Sequence, residues 1–300
     1  MAADQRLMTA ALALAVRGRG RTGANPNVGC LLLRDGRLVG RGWTADGGRP
    51  HAEAMALAGA LAQAGNAARG ATLYTTLEPC AHQSRRGPAC ADLLLAAGIG
   101  RAVVAMEDPD PRTCGRGIER LRRGGVTVDV GVEAAAARTE LAGFSGRLLA
   151  GRPELTLKLA LSLDGRLAMA DGRSQWISGE LARLYVHQLR AEADLLLVGG
   201  GTFRADLPRL DHRLPGSGAP QPWRAVLTAG EVPAGYVALR SLAELDRFAV
   251  AQGVNRILCE GGGVLAAALL AADRVDRLAL VRAPILIGHG QGLEGLRPES

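Results

Sequence analysis

One histidine, two cysteines and a glutamate form the most chemically pointed stretch of this chain. His51-Ala52-Glu53 is followed by Glu78-Pro79-Cys80 and then by Cys90. Neutral imidazole and thiolate bind Zn²⁺ strongly, and three protein ligands leave the fourth tetrahedral position open for water. Water held there becomes a nucleophile near neutral pH. The expected donors are His51, Cys80 and Cys90, with Glu53 outside the coordination shell as the proton carrier between water and leaving group. Nine residues separate the two cysteines, so the loop Ala81 to Ala89 must fold back to bring both sulfurs to one ion. His82 offers an alternative, because as a fourth ligand it would close the site and leave the metal a purely architectural role.

The elements around this stretch follow from periodicity and turn signals. Leu7, Met8, Ala11, Leu12 and Ala15 recur at helical spacing, which predicts a packing helix over Asp4 to Val16. Arg17-Gly-Arg-Gly-Arg21 reads as a solvated basic loop, with a phosphate contact as the sharper alternative. Asp35-Gly36 between two apolar runs predicts a hairpin of Val28 to Arg34 with Leu38 to Trp43. A helix is expected from Ala52 to Gln63 and another from Pro88 to Ala97, so that His51 and Cys90 border helix starts, where the positive dipole end favours thiolate. Strands at Ala71 to Thr76, Ala102 to Met106 and Val126 to Val130, with a helix at Ile118 to Arg123, complete an alternating α/β pattern. A single helix is expected over Glu133 to Leu149, and Gly151-Arg152-Pro153 breaks it. The boundary falls there, giving domains of 1–148 and 152–300.

After the break the pattern restarts. Strands are expected at Leu155 to Leu161, Leu195 to Val198, Arg224 to Thr228 and Arg256 to Cys259, with helices at Gly179 to Arg190 and near Leu242 to Gln252. Two strand ends run into glycine clusters, Gly199-Gly-Gly201-Thr202 and Glu260-Gly-Gly-Gly263. Strand, glycine turn and helix is how backbone N–H groups cradle nucleotide phosphates. Neither cluster has the G-x-G-x-x-G spacing, and in a chain with 41 glycines such clusters are often plain turns.

Composition bounds the rest. At 300 residues the chain has room for two domains, each with its own core. A formal charge of +7 points to an acidic partner, either nucleic acid or a phosphorylated metabolite. Aromatic residues at 3% argue against a platform for stacking single strands. Five dispersed cysteines do not make a disulfide framework, which places the chain in a reducing compartment, the cytoplasm. Its apolar runs are too short to cross a bilayer, and Asp4 offsets Arg6 in the one segment that imitates a leader, so no membrane partner is expected.

The order H-x-E, P-C, then a further cysteine resembles the zinc base deaminases. The whole chain resembles the bifunctional riboflavin-biosynthesis enzymes, in which a diaminohydroxyphosphoribosylaminopyrimidine deaminase is fused to a 5-amino-6-(5-phosphoribosylamino)uracil reductase. The motifs are Asn25-Pro-Asn-Val-Gly-Cys30, His51-Ala-Glu53, Thr76-Leu-Glu-Pro-Cys80 and Asp108-Pro-Asp-Pro111 in the first half. In the second they are Lys158-Leu-Ala-Leu-Ser-Leu-Asp-Gly-Arg166, Ser174-Gln-Trp-Ile-Ser178, Gly201-Thr202 with Asp206, and Glu260-Gly-Gly262.

The resemblance implies a cytidine-deaminase-like three-layer α/β domain followed by an α/β domain similar to dihydrofolate reductase. It implies Zn²⁺ and NADPH as cofactors, a phosphoribosylated aminopyrimidine as substrate and a homo-oligomer, with nucleic acid not a partner. Substrate contacts would come from Asn25, Asp108 and Asp110, with Arg85 and Arg86 toward the 5′-phosphate or merely solvated, and in the second half from Ser174, Arg190 and Arg209. Lys158, Asp206 and Glu260 would stand beside the reacting sugar, although Lys158 also reads as an edge-strand lysine pointing outward. Ser162, Asp164, Gly199, Thr202, Gly261 and Gly262 would hold the cofactor, and Trp176 would be a pocket wall or core packing. This chain departs from the family pattern in the loop Ala81 to Ala89, at Asp110 where asparagine is usual, and at Thr228 where the family has aspartate. A short second half makes a working deaminase with a degenerate reductase the alternative reading.

Overall fold

The computed structural model describes residues 2–83, 86–171 and 179–292. The chain divides into two compact units, Met1–Ala150 and Gly151–Ser300.

The first unit contains α1 (Ala2–Ala15), β1 (Gly29–Arg34), β2 (Arg37–Trp43), α2 (Ala52–Ala64), β3 (Thr72–Thr75), α3 (Cys90–Ala96), β4 (Arg101–Val104), α4 (Arg116–Arg123), β5 (Thr127–Val130), α5 (Ala134–Glu140) and α6 (Ala142–Ala150). Its sheet runs β2-β1-β3-β4-β5, antiparallel across β2-β1-β3 and parallel across β3-β4-β5. Asp35 and Gly36 both take positive φ, 50° and 72°, the conformation that closes a two-residue hairpin. Alternate side chains along β1 serve opposite layers. Cys30 and Leu32 join Ala52, Ala56, Leu94 and Leu121 on one face, while Leu31 joins Met8, Ala11 and Ala137 on the other. The result is a helix–sheet–helix sandwich.

Small residues decide how close α2 lies to the sheet. A Cβ at Gly42 would stand 2.2 Å from the Ala52 carbonyl oxygen, and one at Gly40 would stand 2.1 Å from that of Ala56. The alanines every four residues and the two strand glycines let helix and strand touch main chain to main chain, which sets the depth of His51 and Glu53. On the opposite face α1 is pinned by Asp4, which accepts from the Tyr74 hydroxyl at 2.7 Å and from Arg101 at 3.0 Å.

The expected long helix over Glu133 to Leu149 is two helices with a break at Leu141. The carboxylate of Glu140, immediately before the break, is held by Arg19 and by Asn27, at 2.6 Å from the Asn27 amide.

The second unit contains β6 (Glu154–Leu161), β7 (Ala168–Met169), α7 (Glu180–Ala191), β8 (Leu195–Gly199), α8 (Gly200–Asp206), β9 (Trp223–Leu227), β10 (Val237–Leu239), α9 (Leu242–Gln252), β11 (Arg256–Cys259), α10 (Gly263–Ala271), β12 (Arg277–Arg282) and β13 (Gly290–Gln291). Six strands form a parallel sheet in the order β10-β9-β8-β11-β6-β12, and β7 pairs with β13. The inner strands read as apolar runs because both faces are covered. Sequence reasoning missed β10, β12 and the two-residue strands β7 and β13, and took the glycines before Asp206 for a turn only, although α8 begins there. β6 lies between β11 and β12, so Lys158 sits on an inner strand, half-buried, and the edge-strand reading does not hold. β12 forms the sheet's edge and leaves Leu278 and Leu280 about half exposed. Among the described residues no helix is long and apolar enough to cross a membrane.

Candidate metal centre and cofactor cleft

His51 occupies the N-cap of α2, Glu53 lies in its first turn, and Cys90 is the first residue of α3. Cys80 reaches them from the segment after β3. The loop between the cysteines folds back as required, with the Cys90 amide donating to Cys80 Sγ at 3.2 Å and the Ala91 amide to the Cys80 carbonyl at 3.2 Å. His51 Nδ1 stands 3.3 Å from Cys90 Sγ and 3.7 Å from Cys80 Sγ, and all three donor atoms lie within 4.8 Å of one another. Donors bound at about 2.0–2.3 Å around a tetrahedral ion would be roughly 3.5–3.8 Å apart, so this triad fits Zn²⁺. His82 does not join it, because its Nδ1 pairs with the Thr113 hydroxyl at 3.1 Å. The fourth position is left to a non-protein ligand.

The electrostatics suit a cation. The Cys90 thiol hydrogen-bonds the Cys80 sulfur, which pulls Cys80 down to about 4 and pushes Cys90 well up. Two adjacent sulfurs resist sharing two negative charges until a metal neutralises them. Burial raises Glu53 above the usual carboxylate range, and the His51 charge works against that rise. A carboxyl so placed holds a proton readily.

These groups open into a cavity of about 220 Å³, whose wall includes Asn25, Glu78, Asp108 and Asp110. Burial lifts Asp108 to about 7, opposed by the Asp110 amide that donates to it and reinforced by the Asp110 and Glu78 charges. Asp110 is held low by Arg112, whose guanidinium grips it. Arg86 is exposed, donates to the Gly47 carbonyl at 2.7 Å and is not in the cavity wall. Arg85 lies outside the described residues. Glu78 was not singled out from sequence, yet it is 2% exposed and accepts from four amides, those of Asp108, Gly115, Gly117 and Ile118, at 2.8–3.1 Å. It ties the Asp108 loop to the start of α4 directly beneath the cavity. Its place two residues before Cys80 was the one available signal.

In the second unit, Ser162 and Asp164 follow β6, Gly199 ends β8, and Glu260, Gly261 and Gly262 follow β11, at the C-terminal ends of parallel strands, where α/β sheets bind ligands, while Lys158 lies within β6 and Arg190 on α7. The two glycine turns adjoin, with the Gly262 amide donating to the Thr202 hydroxyl at 3.0 Å. Gly199 ends β8 and Gly261 precedes α10. A Cβ at Gly201 would meet no heavy atom within 4 Å, so main chain is open to a ligand at this point. Burial lowers Lys158, while Glu260 works to raise it. Glu260 is gripped by Arg190 through two bonds of 2.6 and 3.0 Å, and Arg190 also donates to the Asp211 carbonyl. Asp206 is exposed at the end of α8, and Arg209 is 74% exposed and paired with Asp211. Ser162 donates to Asp164 at 2.6 Å, and Asp164 accepts from the amides of Ile287 and Gly288, so this pair shapes its own turn. Ser174 and Trp176 lie outside the described residues.

Two family models match. Residues 1–106 match the cytidine and deoxycytidylate deaminase zinc-binding region, and residues 153–298 match the RibD C-terminal domain. The riboflavin biosynthesis protein RibD of Escherichia coli strain K12 is 38% identical, over 95% of this chain and 89% of that protein. The Bacillus amyloliquefaciens protein of the same name is 35% identical, over 98% and 90%. The crystal structure of a diaminohydroxyphosphoribosylaminopyrimidine deaminase/5-amino-6-(5-phosphoribosylamino)uracil reductase from Thermotoga maritima superposes with a TM-score of 0.90 at 30% identity, over 99% of this chain and 91% of that one.

Proposed function

Since the chain belongs to the RibD family of bifunctional riboflavin-biosynthesis proteins, deaminase and reductase in one polypeptide, we propose that its substrates are the two named for the Thermotoga relative. Residues 1–148 would remove the ring amino group by hydrolysis, and residues 152–300 would reduce the ribosyl group to ribityl with NADPH. The convergence of His51, Cys80 and Cys90 beside buried Glu53 carries the reading.

Zn²⁺ on those three donors would supply an acidified water at neutral pH. Glu53 would hold and pass a proton between the attacking water and the departing amine, a transfer its raised affinity for protons assists. Asn25 meets the pyrimidine, and Asp108 and Asp110 lie toward the ribose. In the second half a reduced nicotinamide, when bound, would supply the hydride. Lys158, weakened as an ammonium by burial and faced by Glu260, gives the proton the opening sugar needs. Asp206 completes the polar group there. Ser162, Asp164, Gly199, Thr202, Gly261 and Gly262 hold the cofactor together with Trp176, and Ser174, Arg190 and Arg209 hold the substrate. The cytoplasm is the compartment this thiol chemistry suits. A homo-oligomer belongs to the same reading, supported by the apolar edge at Leu278 and Leu280 and tested by light scattering.

The decisive experiment incubates zinc-loaded protein with the phosphoribosylated diaminopyrimidine, then adds NADPH. Ammonia release followed by loss of nicotinamide absorbance is the expected result. No ammonia overturns the deaminase reading, and ammonia without NADPH oxidation overturns the reductase one.

A further inference from the structure

The cavity beside the metal ligands is walled by four carboxylates, Glu53, Glu78, Asp108 and Asp110, although the substrate proposed above is an anion. Most of that charge is already answered. Glu78 spends its two oxygens on four amides. Asp110 is gripped from the solvent side by Arg112, whose Nε stands 2.9 and 3.0 Å from the two carboxylate oxygens and whose own amide donates to the same group at 2.9 Å. The arginine side chain is 67% exposed while the aspartate beneath it is 9% exposed. Arg112 is part of the cavity wall, as are Arg49 and Arg147, whereas Arg86 is committed to Gly47 and stands outside it. Arg147 is steadied by its bond to the Ala24 carbonyl at 2.6 Å and its stacking over Phe144.

We propose that Arg112 is a specificity-determining residue for the anionic end of the deaminase substrate: it cancels the Asp110 carboxylate in the cavity wall and, with Arg49 and Arg147, gives that wall the positive charge a phosphomonoester requires. This rests on the deaminase reading above. A guanidinium can hold a carboxylate through one edge and still answer a phosphate with its remaining donors, which an ammonium cannot do in the same plane. Aspartate at position 110 is compatible with a phosphorylated ligand because this arginine covers it.

The test measures kcat and KM for ammonia release by the zinc-loaded full chain, with the phosphoribosylated aminopyrimidine and with its dephosphorylated riboside. Arg112→Ala is expected to raise KM for the phosphorylated substrate about tenfold or more, with kcat and the riboside KM changed by less than about twofold. Adding Asp110→Asn to that variant should recover a large part of the loss, because the uncovered carboxylate is gone. Arg112→Lys should fall between wild type and alanine. An equal effect on both substrates, or a phosphate-dependent loss seen with Arg85→Ala and Arg86→Ala together but not with Arg112→Ala, would overturn the proposal while leaving the deaminase intact. Failure of the wild type to release ammonia from either substrate overturns the deaminase reading and this proposal with it.

Discussion

At the scale of single residues, Glu53 and Glu78 divide two tasks that look alike in sequence. Glu53 shares a side-chain hydrogen bond with Cys90, and Glu53→Gln is expected to lower ammonia release by about 10²–10⁴-fold with bound zinc unchanged, measured by single-turnover assay and elemental analysis. Glu78 is the reverse case. Glu78→Ala strands three buried amides and the half-buried amide of Gly115 and is expected to cost about 2–4 kcal/mol in urea unfolding, with the Asp108 loop losing hydrogen-exchange protection. The candidate metal ligands, which the fold brings within 4.8 Å of one another, were legible because their types and spacing are chemically restrictive. Glu78 was not, since accepting amides from a distant loop leaves no trace in spacing, and Arg112 was not, since a loop arginine resembles any solvated cation until its partner is located. Arg190, expected from sequence as a substrate contact, makes two bonds to the Glu260 carboxylate, a pairing that spacing does not reveal.

At the scale of elements, one carboxylate ties α1 to the sheet in addition to its buried apolar face. Arg101 and the Tyr74 hydroxyl hold Asp4 down to about 2, below its ordinary 3.8. A depressed acid contributes stability that is complete above the unfolded value and is lost as pH falls through the folded one. Asp4→Asn is therefore expected to lower stability by about 1 kcal/mol near pH 6, solvent screening of a partly exposed pair having reduced the full value, and the gap should close as pH falls from about 4 toward 2. Urea midpoints of both proteins across that range would show it. Most element positions were readable from periodicity, and α9 and β11 fall where the pattern puts them. The exceptions have causes. The break at Leu141 follows a residue held by long-range polar contacts, and β12 alternates half-buried and exposed positions at an open edge, where a short apolar stretch does not distinguish strand from coil.

At the scale of the whole molecule, each expected site is built from residues of one unit only. Removing the metal with a chelator is expected to abolish ammonia release while leaving NADPH oxidation intact when the already deaminated nucleotide is supplied. Lys158→Ala should do the opposite. Parallel loss of both activities on chelation would show that the second reaction needs the metal centre.

The contact between α2 and β2 has a consequence for sequence variation. Where a helix rests on bare peptide, even a methyl group wedges the two apart. A saturation library at positions 40 and 42, selected for growth without supplied riboflavin, should return glycine almost alone, while neighbouring Arg41, pointing to solvent, drifts freely.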